Sequence, residues 1–270
     1  MTVMHPLISA EKLAAVLDDV VLCDIRWDLT DRTKGRQTYR QGHIPGAVFV
    51  DLDADLSAAP GVGGRHPLPE VEAFAAALGK FGISPGARVV VYDDVSGQIA
   101  ARLWWMLRSI GHDEVQVLDG GLRAWIESGG ALATGDVTPN PEAYPIPTEF
   151  TGVVRHDEVR RRKIVDARAG ERYRGDHEPV DPKAGHIPGA INIPSTRNLD
   201  GNGRFLRSDA LSEVYGGVPD DVAVSCGSGV TACHDALAMV LAGRSMPDLY
   251  VGSFSEWSRL DFSVSTGPEP

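Results

Sequence analysis

The stretch VAVSCGSGVTACHDAL, residues 222–237, joins a strand pattern, a glycine-containing loop and a helix pattern. Its β-branched apolar run ends at Cys226, small residues follow, and a helical pattern then begins. A strand that runs directly into a helix is the unit from which α/β proteins with parallel sheets are built. Because ligands of such sheets bind beyond the carboxyl ends of the strands, this stretch predicts an α/β fold with a site at Cys226.

Two internal repeats organise the rest of the chain. The motif GHIPGA occurs at residues 42–47 and again at 185–190. The stretch VVVYDDVSGQIAA at 89–101 resembles VAVSCGSGVTAC at 222–233. These features occur in the same order in both halves, so the chain is predicted to consist of two homologous halves.

Each half alternates strand and helix patterns, which predicts two α/β domains, each with a mostly parallel sheet flanked by helices. The stretch TGDVTPNPEAYPIPTEF between them contains four prolines and has no apolar period, which is typical of a linker. We therefore predict a first domain over residues 1–135, a proline-rich linker over 136–150 and a second domain over 151–270.

Composition and charge restrict the function. The 270 residues are 43% hydrophobic and 23% charged, as in ordinary globular proteins. A net charge of −11 disfavours nucleic acid and anionic membranes as partners. No apolar run approaches the roughly 18 residues that a membrane helix needs, and no secretion signal is recognised. Three cysteines are too few for a disulfide framework, so a cytoplasmic location is expected.

The loop after Cys226 is suited to holding a negative charge. Gly227 and Gly229 allow the chain to curl so that backbone N–H groups converge on the sulfur, with a helix N-terminus behind them. Such a nest stabilises a thiolate and any anion that is built on that sulfur. Cys23 lies inside a strand pattern and Cys233 inside the following helix pattern, so both are interpreted as structural.

Three kinds of cysteine chemistry compete for this loop. A metal site needs ligands at short paired spacing, which Cys226, Cys233 and His234 do not provide, so no metal or cofactor is predicted. A cysteine phosphatase needs a longer loop closed by an arginine, whereas Ala232 stands at the sixth position after the cysteine and no arginine occurs before Arg244. A sulfur carrier needs only a thiolate and a nest for the resulting persulfide, and this option fits the loop.

The tandem α/β halves, the motif GHIPGA in each, DGG…W in the first and the loop CGSGVTAC in the second resemble the two-domain rhodanese family of sulfurtransferases. The resemblance covers nearly the whole chain and implies tandem rhodanese-like domains. Members that use thiosulfate usually carry basic residues where Gly227 and Ser228 stand here. The neutral loop is instead similar to that of members that use 3-mercaptopyruvate.

The resemblance implies a ping-pong cycle. Cys226 would take a sulfane sulfur from a small anionic donor and hold it as a persulfide. A thiol such as thioredoxin, a low-molecular-weight thiol or cyanide would then accept this sulfur. The loop residues implied to bind the substrate are Gly227, Gly229, Val230, Thr231 and Ala232.

The resemblance also implies catalytic side chains. Ser228 matches a loop serine that handles a proton, and His43 in the first GHIPGA matches a histidine that works with it. An acidic residue upstream completes the group, and Asp31 is the nearest one to His43. The alternative for His43 is a role in a turn, because His186 occupies the equivalent place in the other half.

Arg172 matches an arginine that pairs with the substrate carboxylate, for which a guanidinium fork is suited. The members that use 3-mercaptopyruvate have a second arginine shortly after a Glu-Pro pair, where Val180 and Asp181 stand in this chain. Arg174 and Arg197 are candidates to replace it, and the alternative for each arginine is a solvated surface charge.

In the first half, Asp94 is aligned with the cysteine of the second half. Because a carboxylate cannot accept a sulfane sulfur, the first domain is expected to be catalytically silent. Trp27, His43 and Arg65 are the first-half residues that we expect to face the sulfur. Three functions remain in competition: sulfur transfer from 3-mercaptopyruvate, sulfur transfer from thiosulfate, and a persulfide-carrying module with little turnover.

Overall fold

The computed structural model describes residues 4–269, which pack into two compact units. The first unit comprises residues 4–57, Pro69–Thr151 and Asn202–Arg204, and the second comprises Ala58–Leu68, Gly152–Gly201 and 205–269. Each unit therefore includes a short segment that the sequence had placed in the other half.

Five parallel strands form the sheet of the first unit. They are β1 (Leu7–Ile8), β2 (Val21–Asp24), β3 (Val48–Phe49), β4 (Val89–Tyr92) and β5 (Val115–Leu118), and their order in the sheet is β1-β5-β4-β2-β3. The helices of this unit are α1 (Ala10–Ala14), α2 (Lys34–Gln41), α3 (Val71–Lys80), α4 (Ala100–Ser109) and α5 (Gly121–Glu127). Ser9 caps α1, since its hydroxyl accepts a hydrogen bond from the Lys12 amide, as its position before an apolar period predicts.

The second unit repeats this arrangement. Its strands are β6 (Val153–Val154), β7 (Lys163–Asp166), β8 (Ile191–Asn192), β9 (Val222–Ser225) and β10 (Asp248–Tyr250), in the order β6-β10-β9-β7-β8 and again all parallel. Its helices are α6 (His156–Val159), α7 (Gly170–Arg174), α8 (Ser208–Val214), α9 (Ala232–Leu241) and α10 (Ser253–Trp257). The predicted α/β class, with a parallel sheet in each half, is confirmed.

The central strand of each sheet is mostly apolar and is buried on both faces. All four residues of β4 and all four of β9 are buried, as expected for parallel strands that helices cover on both sides. The loop that follows each central strand therefore emerges from the middle of its sheet. In the second unit this is the loop that begins at Cys226.

The predicted linker has no helix or strand, but it packs on the first unit. The Glu142 amide donates a hydrogen bond of 2.9 Å to the Gly79 carbonyl, and the Val137 amide donates one of 3.2 Å to the Tyr39 hydroxyl. These bonds satisfy backbone groups that an unstructured linker would leave to water. Within residues 4–269, no helix is long and apolar enough to cross a membrane.

Candidate active site

Cys226 is the first residue after β9 and is only 3% exposed. Its amide donates a hydrogen bond of 3.1 Å to the Ser253 hydroxyl, which itself donates to the Tyr250 carbonyl. Its carbonyl accepts a hydrogen bond of 3.0 Å from the Phe254 amide. Ser253 has a left-handed backbone, with φ at 50°, which is rare for a side chain of this kind. The turn at Ser253 therefore fixes the backbone of the cysteine.

One of the two glycines in the loop between Cys226 and α9 has a left-handed backbone. Gly229 has φ at 77°, and a Cβ there would overlap the carbonyl oxygen of Val251, so only glycine fits. Among the described residues, the amides of Gly227, Ser228, Val230 and Thr231 have no hydrogen-bond acceptor. These donors lie between the cysteine and the N-terminus of the ten-residue α9, and such a combination suits an anion, so we call this loop the anion cradle.

The corresponding loop of the first unit contains its own anion. The carboxylate of Asp93 accepts four hydrogen bonds of 2.8–2.9 Å from backbone amides, which are those of Val95, Gly97, Ile99 and Ala100. Burial raises the pKa of this carboxyl group, and the four amide donors oppose that shift. A loop of this construction therefore binds a negatively charged group through its backbone.

Strand pairing places Asp93, and not Asp94, in register with Cys226. Asp24 of β2 pairs with Tyr92, the last residue of β4. In the second unit, Asp166 of β7 pairs with Ser225, the last residue of β9. The residues that follow these strand ends are Asp93 and Cys226, so the predicted alignment of Asp94 with the cysteine is wrong by one residue. The first loop has one more residue before its left-handed glycine than the second.

Ser228 lies in the loop beside a histidine that the sequence analysis had not selected. Its hydroxyl oxygen is 2.8 Å from Nδ1 of His66, and both residues are buried. His66 belongs to the segment Ala58–Leu68, which packs with the second unit. The Arg65 amide helps to hold this segment by donating a hydrogen bond of 3.1 Å to the Ser255 hydroxyl. A hydroxyl and an imidazole within hydrogen-bond distance can pass a proton to or from a bound substrate.

Two guanidinium groups flank the loop. A Cβ on Gly227 would lie 2.8 Å from Nη2 of Arg65 and 3.4 Å from Nη1 of Arg172. The carboxylate of Asp181 forms ion pairs with both arginines. Arg172 also binds the carboxylate of Glu178, with Nη2 at 2.8 Å and Nε at 3.1 Å. Arg172 therefore lies beside the cysteine loop, and its pairing with the substrate carboxylate stays a prediction.

Opposing effects act on the pKa values of Asp181 and Glu178. Burial raises the pKa of Asp181, and the attraction of Arg65 only partly offsets that effect. Burial also acts to raise the pKa of Glu178, but the hydrogen bonds from Arg172 and from two backbone amides outweigh it and lower that pKa. Arg168 also lies near this cluster, with its Nη1 3.6 Å from Glu178, so Asp181 and Glu178 together pair with three arginines.

The structure does not support the predicted roles of His43 and Asp31. His43 has no exposed surface, stacks on Tyr39 with ring centroids 4.1 Å apart, and its Nδ1 lies 2.9 Å from the Tyr39 carbonyl oxygen. His186 packs in the same way against Tyr173. An imidazole without exposed surface cannot exchange a proton with a substrate, so a role of His43 in the turn is the better interpretation.

Asp31 is exposed and accepts hydrogen bonds from the amide and hydroxyl of Thr33, at the start of α2. Those bonds lower the pKa of Asp31. Within residues 4–269, no hydrogen bond or ion pair joins Asp31 to His43. The aspartate therefore stabilises a turn of the backbone, and the predicted pairing with His43 is not formed.

Arg174 pairs with Asp176 near the surface, and Arg197 is exposed on a short 3-10 helix. Neither has a described contact with the cysteine loop. Trp27 lies in the first unit, where its indole nitrogen donates a hydrogen bond of 2.9 Å to Asp53. Arg65, which was also expected to face the sulfur, lies beside the loop of the cysteine.

A sequence signal for His66 existed. The pair Gly64-Arg65, which precedes His66, recurs in the second half as Gly203-Arg204. Both pairs lie in segments that pack with the unit of the opposite half. This repeated Gly-Arg pair therefore indicates the segment that contains His66.

The three cysteines form no disulfide, and burial raises the pKa of the Cys23 thiol. Cys233 is fully buried on α9, and its thiol lies 3.4 Å from the Gly229 carbonyl oxygen. These surroundings agree with structural roles for both. Within the described part of the chain, no group of three or more His, Cys, Asp or Glu residues is placed to hold a metal ion.

Comparison with known proteins places these observations in a family. The chain is 42% identical over 267 residues to a Pseudomonas aeruginosa protein provisionally assigned as a 3-mercaptopyruvate sulfurtransferase, with 93% of this chain and 94% of that protein covered. It is 41% identical over 267 residues to SseB of Mycobacterium tuberculosis, provisionally assigned as a thiosulfate sulfurtransferase, with 93% of each chain covered.

A solved structure of 3-mercaptopyruvate sulfurtransferase from Leishmania major superposes with a TM-score of 0.85 at 32% sequence identity. The superposition covers 93% of this chain and 74% of that one. The model of the rhodanese-like domain matches twice, over residues 9–128 and 153–260. These matches cover every strand of the two sheets except β1 and include the cysteine loop, and the chain therefore belongs to the rhodanese family.

Proposed function

We propose that this protein is a sulfurtransferase that moves a sulfane sulfur from 3-mercaptopyruvate, through a persulfide on Cys226, to a thiol or cyanide acceptor. The observation that carries this proposal is the anion cradle. In the second unit, backbone amides without an acceptor among the described residues follow directly after a cysteine, whereas the equivalent loop of the first unit already contains the Asp93 carboxylate. The second cradle can therefore receive an anion that is built on the cysteine.

The first half-reaction follows from this geometry. The Cys226 thiolate attacks the donor sulfur, a sulfur–sulfur bond forms, and the bond between that sulfur and carbon breaks. The electron pair of the broken bond passes to the carbon, which becomes the enolate of pyruvate. The proton of the donor thiol ends on that carbon, and the hydrogen-bonded pair of Ser228 and His66 is placed to transfer it. Pyruvate leaves, and the outer sulfur carries its negative charge in the cradle.

The second half-reaction restores the enzyme. An acceptor thiolate attacks the outer sulfur, the sulfur–sulfur bond of the persulfide breaks, and its electron pair returns to Cys226 as a thiolate. The acceptor that we propose is thioredoxin or a low-molecular-weight thiol. No cofactor takes part in either step, because the attacking and leaving groups are sulfur atoms that carry their own electron pairs.

Thiosulfate is the second candidate donor. Arg65 and Arg172 both lie beside the cysteine loop, and two guanidinium groups suit a dianion. A relative of this chain also carries a provisional assignment to thiosulfate. We place 3-mercaptopyruvate first because Asp181 and Glu178 pair with these arginines and offset their charge.

The test is direct detection of the intermediate. Purified protein is exposed to each donor in turn, and mass spectrometry measures the added mass of one sulfur atom on the peptide that contains Cys226. We expect this adduct and multiple turnovers with 3-mercaptopyruvate, their loss in Cys226→Ser, and their retention in the matched variant Cys233→Ser. Faster turnover with thiosulfate would overturn the choice of donor. An adduct without turnover with any acceptor would favour a persulfide carrier.

A further inference from the structure

One buried serine of α10 contacts both parts of the candidate site. Ser255 has no exposed surface. Its amide donates a hydrogen bond of 2.8 Å to the Gly227 carbonyl, and its hydroxyl oxygen accepts one of 3.1 Å from the Arg65 amide. Gly227 is the residue before Ser228, and Arg65 is the residue before His66. Ser255 therefore binds the backbone next to each member of the hydroxyl–imidazole pair.

The segment Ala58–Leu68 forms neither a helix nor a strand that could direct His66 by itself. Two hydrogen bonds of 3.0 and 3.1 Å join the backbones of Gly61 and Gly64 within the segment. These bonds give the segment its shape, but they do not attach it to the cysteine loop. The hydroxyl of Ser255 supplies such an attachment, and it does so at the backbone, which sets the origin of the neighbouring side chain.

The glycine before Arg65 shows how closely the segment packs on this serine. A Cβ on Gly64 would lie 2.6 Å from the Ser255 hydroxyl oxygen and 2.8 Å from the Gly252 carbonyl oxygen, and the φ of Gly64 is 100°. Glycine alone fits this approach. The Ser255 hydroxyl donates its proton to the Gly252 carbonyl at 2.9 Å, so its oxygen acts as the acceptor towards the segment.

The repeat in the sequence shows that this serine belongs to the unit with the nucleophile. The alignment of Trp125 in α5 with Trp257 in α10 puts Arg123 at the position of Ser255. The Arg123 side chain is exposed and pairs with Glu127 of the same helix. A buried hydroxyl at this position is therefore a feature of the second unit and is not required by the shared fold.

We propose that Ser255 is a positioning residue of the sulfur transfer, which holds Ala58–Leu68 against the cysteine loop so that His66 reaches the hydroxyl of Ser228. This inference rests on the proposed function and identifies the contact that assembles its proton-transfer pair. The imidazole and the hydroxyl are 2.8 Å apart, and proton transfer requires this distance. Without the anchor, the segment shifts relative to the loop, and a small misplacement of a catalytic group lowers the rate markedly.

The first arm of the test measures steady-state kinetics with 3-mercaptopyruvate. Ser255→Ala removes the acceptor of the Arg65 amide. The matched control is Ser258→Ala, because Ser258 is also buried and its hydroxyl has no hydrogen-bond partner among residues 4–269. For Ser255→Ala we expect kcat to fall about tenfold. KM should change less, since the Arg65 side chain keeps its ion pair with Asp181, and Ser258→Ala should match the wild type.

A double variant tests whether Ser255 acts through the histidine. In the His66→Asn background the imidazole is absent, so the further change Ser255→Ala should leave kcat where His66→Asn alone puts it. A second tenfold loss in this background would show that Ser255 affects catalysis by another route and would overturn the proposal.

The second arm needs no sulfur transfer. Hydrogen–deuterium exchange with mass spectrometry measures the protection of amides in peptides that cover Ala58–Leu68. In Ser255→Ala we expect exchange in this segment to be about tenfold faster than in the wild type, because the Arg65 amide has lost its acceptor. Ser258→Ala should leave the exchange unchanged.

A pair of glycine variants approaches the same contact from the segment. Gly64→Ala puts a methyl group against the Ser255 hydroxyl, whereas a Cβ on Gly61 meets no atom within 4 Å. Gly64→Ala should therefore show both the lower kcat and the faster exchange, and Gly61→Ala should show neither. Thermal melting shows whether each variant is folded, and the glycine pair carries the test if Ser255→Ala is not.

The two arms separate this inference from the proposed function. A wild-type protein that transfers no sulfur, but whose segment exchanges faster in Ser255→Ala and not in Ser258→Ala, would support the anchor and remove the sulfur-transfer proposal. Unchanged exchange in Ser255→Ala, or an equal increase in Ser258→Ala, would overturn the role of Ser255.

Discussion

At the scale of single residues, the nucleophile and the histidine differ in how a sequence can reveal them. Cys226, Ser228 and Gly229 lie within four residues, so strand pattern, loop composition and helix start together predict their site. His66 and Ser228 are 162 residues apart, and only folding brings the imidazole to the hydroxyl. No periodicity encodes that contact, and the repeated GHIPGA motif indicates His43 instead.

The first prediction concerns this histidine. His66→Asn keeps a polar side chain of similar reach but removes the group that can exchange a proton at neutral pH. We expect kcat with 3-mercaptopyruvate to fall about a hundredfold, the lower end of the usual contribution of general acid–base catalysis. Steady-state kinetics measure this, with the exposed His177→Asn as the matched control. Full activity in His66→Asn would exclude a catalytic role for His66.

At the scale of secondary-structure elements, the two loops that follow the central strands have similar backbone conformations. Gly97 in the first loop and Gly229 in the second both have a left-handed backbone. The sequence comparison puts Asp94, instead of Asp93, opposite Cys226. It does so because the glycines are easily matched, whereas the extra residue of the first loop is not visible in the sequence. Register along β2 and β4 corrects this, since hydrogen-bonded strands fix the correspondence residue by residue.

A second prediction follows from the carboxylate in the first loop. Asp93→Ala leaves four buried or half-buried backbone amides without the acceptor that they have in the folded chain. Hydrogen bonds to a charged group contribute about 1.5–3 kcal/mol each, but water entering the cavity recovers part of this, so we expect a loss of about 3 kcal/mol or more. Chemical denaturation followed by circular dichroism measures the free energy of unfolding.

The neighbouring residue supplies the control for that measurement. Asp94 is exposed, and its carboxylate accepts none of the four amide hydrogen bonds of the loop. Asp94→Ala should therefore change the free energy of unfolding by less than about 0.5 kcal/mol, as surface substitutions usually do. Equal losses in the two variants would mean that the Asp93 carboxylate does not hold the loop together.

At the scale of the whole molecule, the repeats predict two units of the correct fold class, but they do not predict which segments of the chain belong to each unit. Apolar strands and helices have periodicity that assigns them to a sheet, whereas the segment Ala58–Leu68 is an irregular stretch rich in glycine and proline. Its place depends on contacts such as the Arg65 amide with the Ser255 hydroxyl, which no local pattern encodes. The boundary near residue 151 is visible in the sequence because the proline-rich stretch precedes it.

The discontinuity of the second unit leads to a last prediction about the chain as a whole. A protein that comprises residues 152–270 contains Cys226, Ser228 and the cradle, but it lacks Arg65 and His66. We expect persulfide formation in this fragment to be about a hundredfold slower than in the intact chain, because proton transfer and donor binding are both impaired. The intact chain with Arg65→Gln and His66→Asn together should show the same defect, and it carries the test if the fragment does not fold. A fragment that forms the persulfide as fast as the intact chain would show that Ala58–Leu68 contributes nothing to the site.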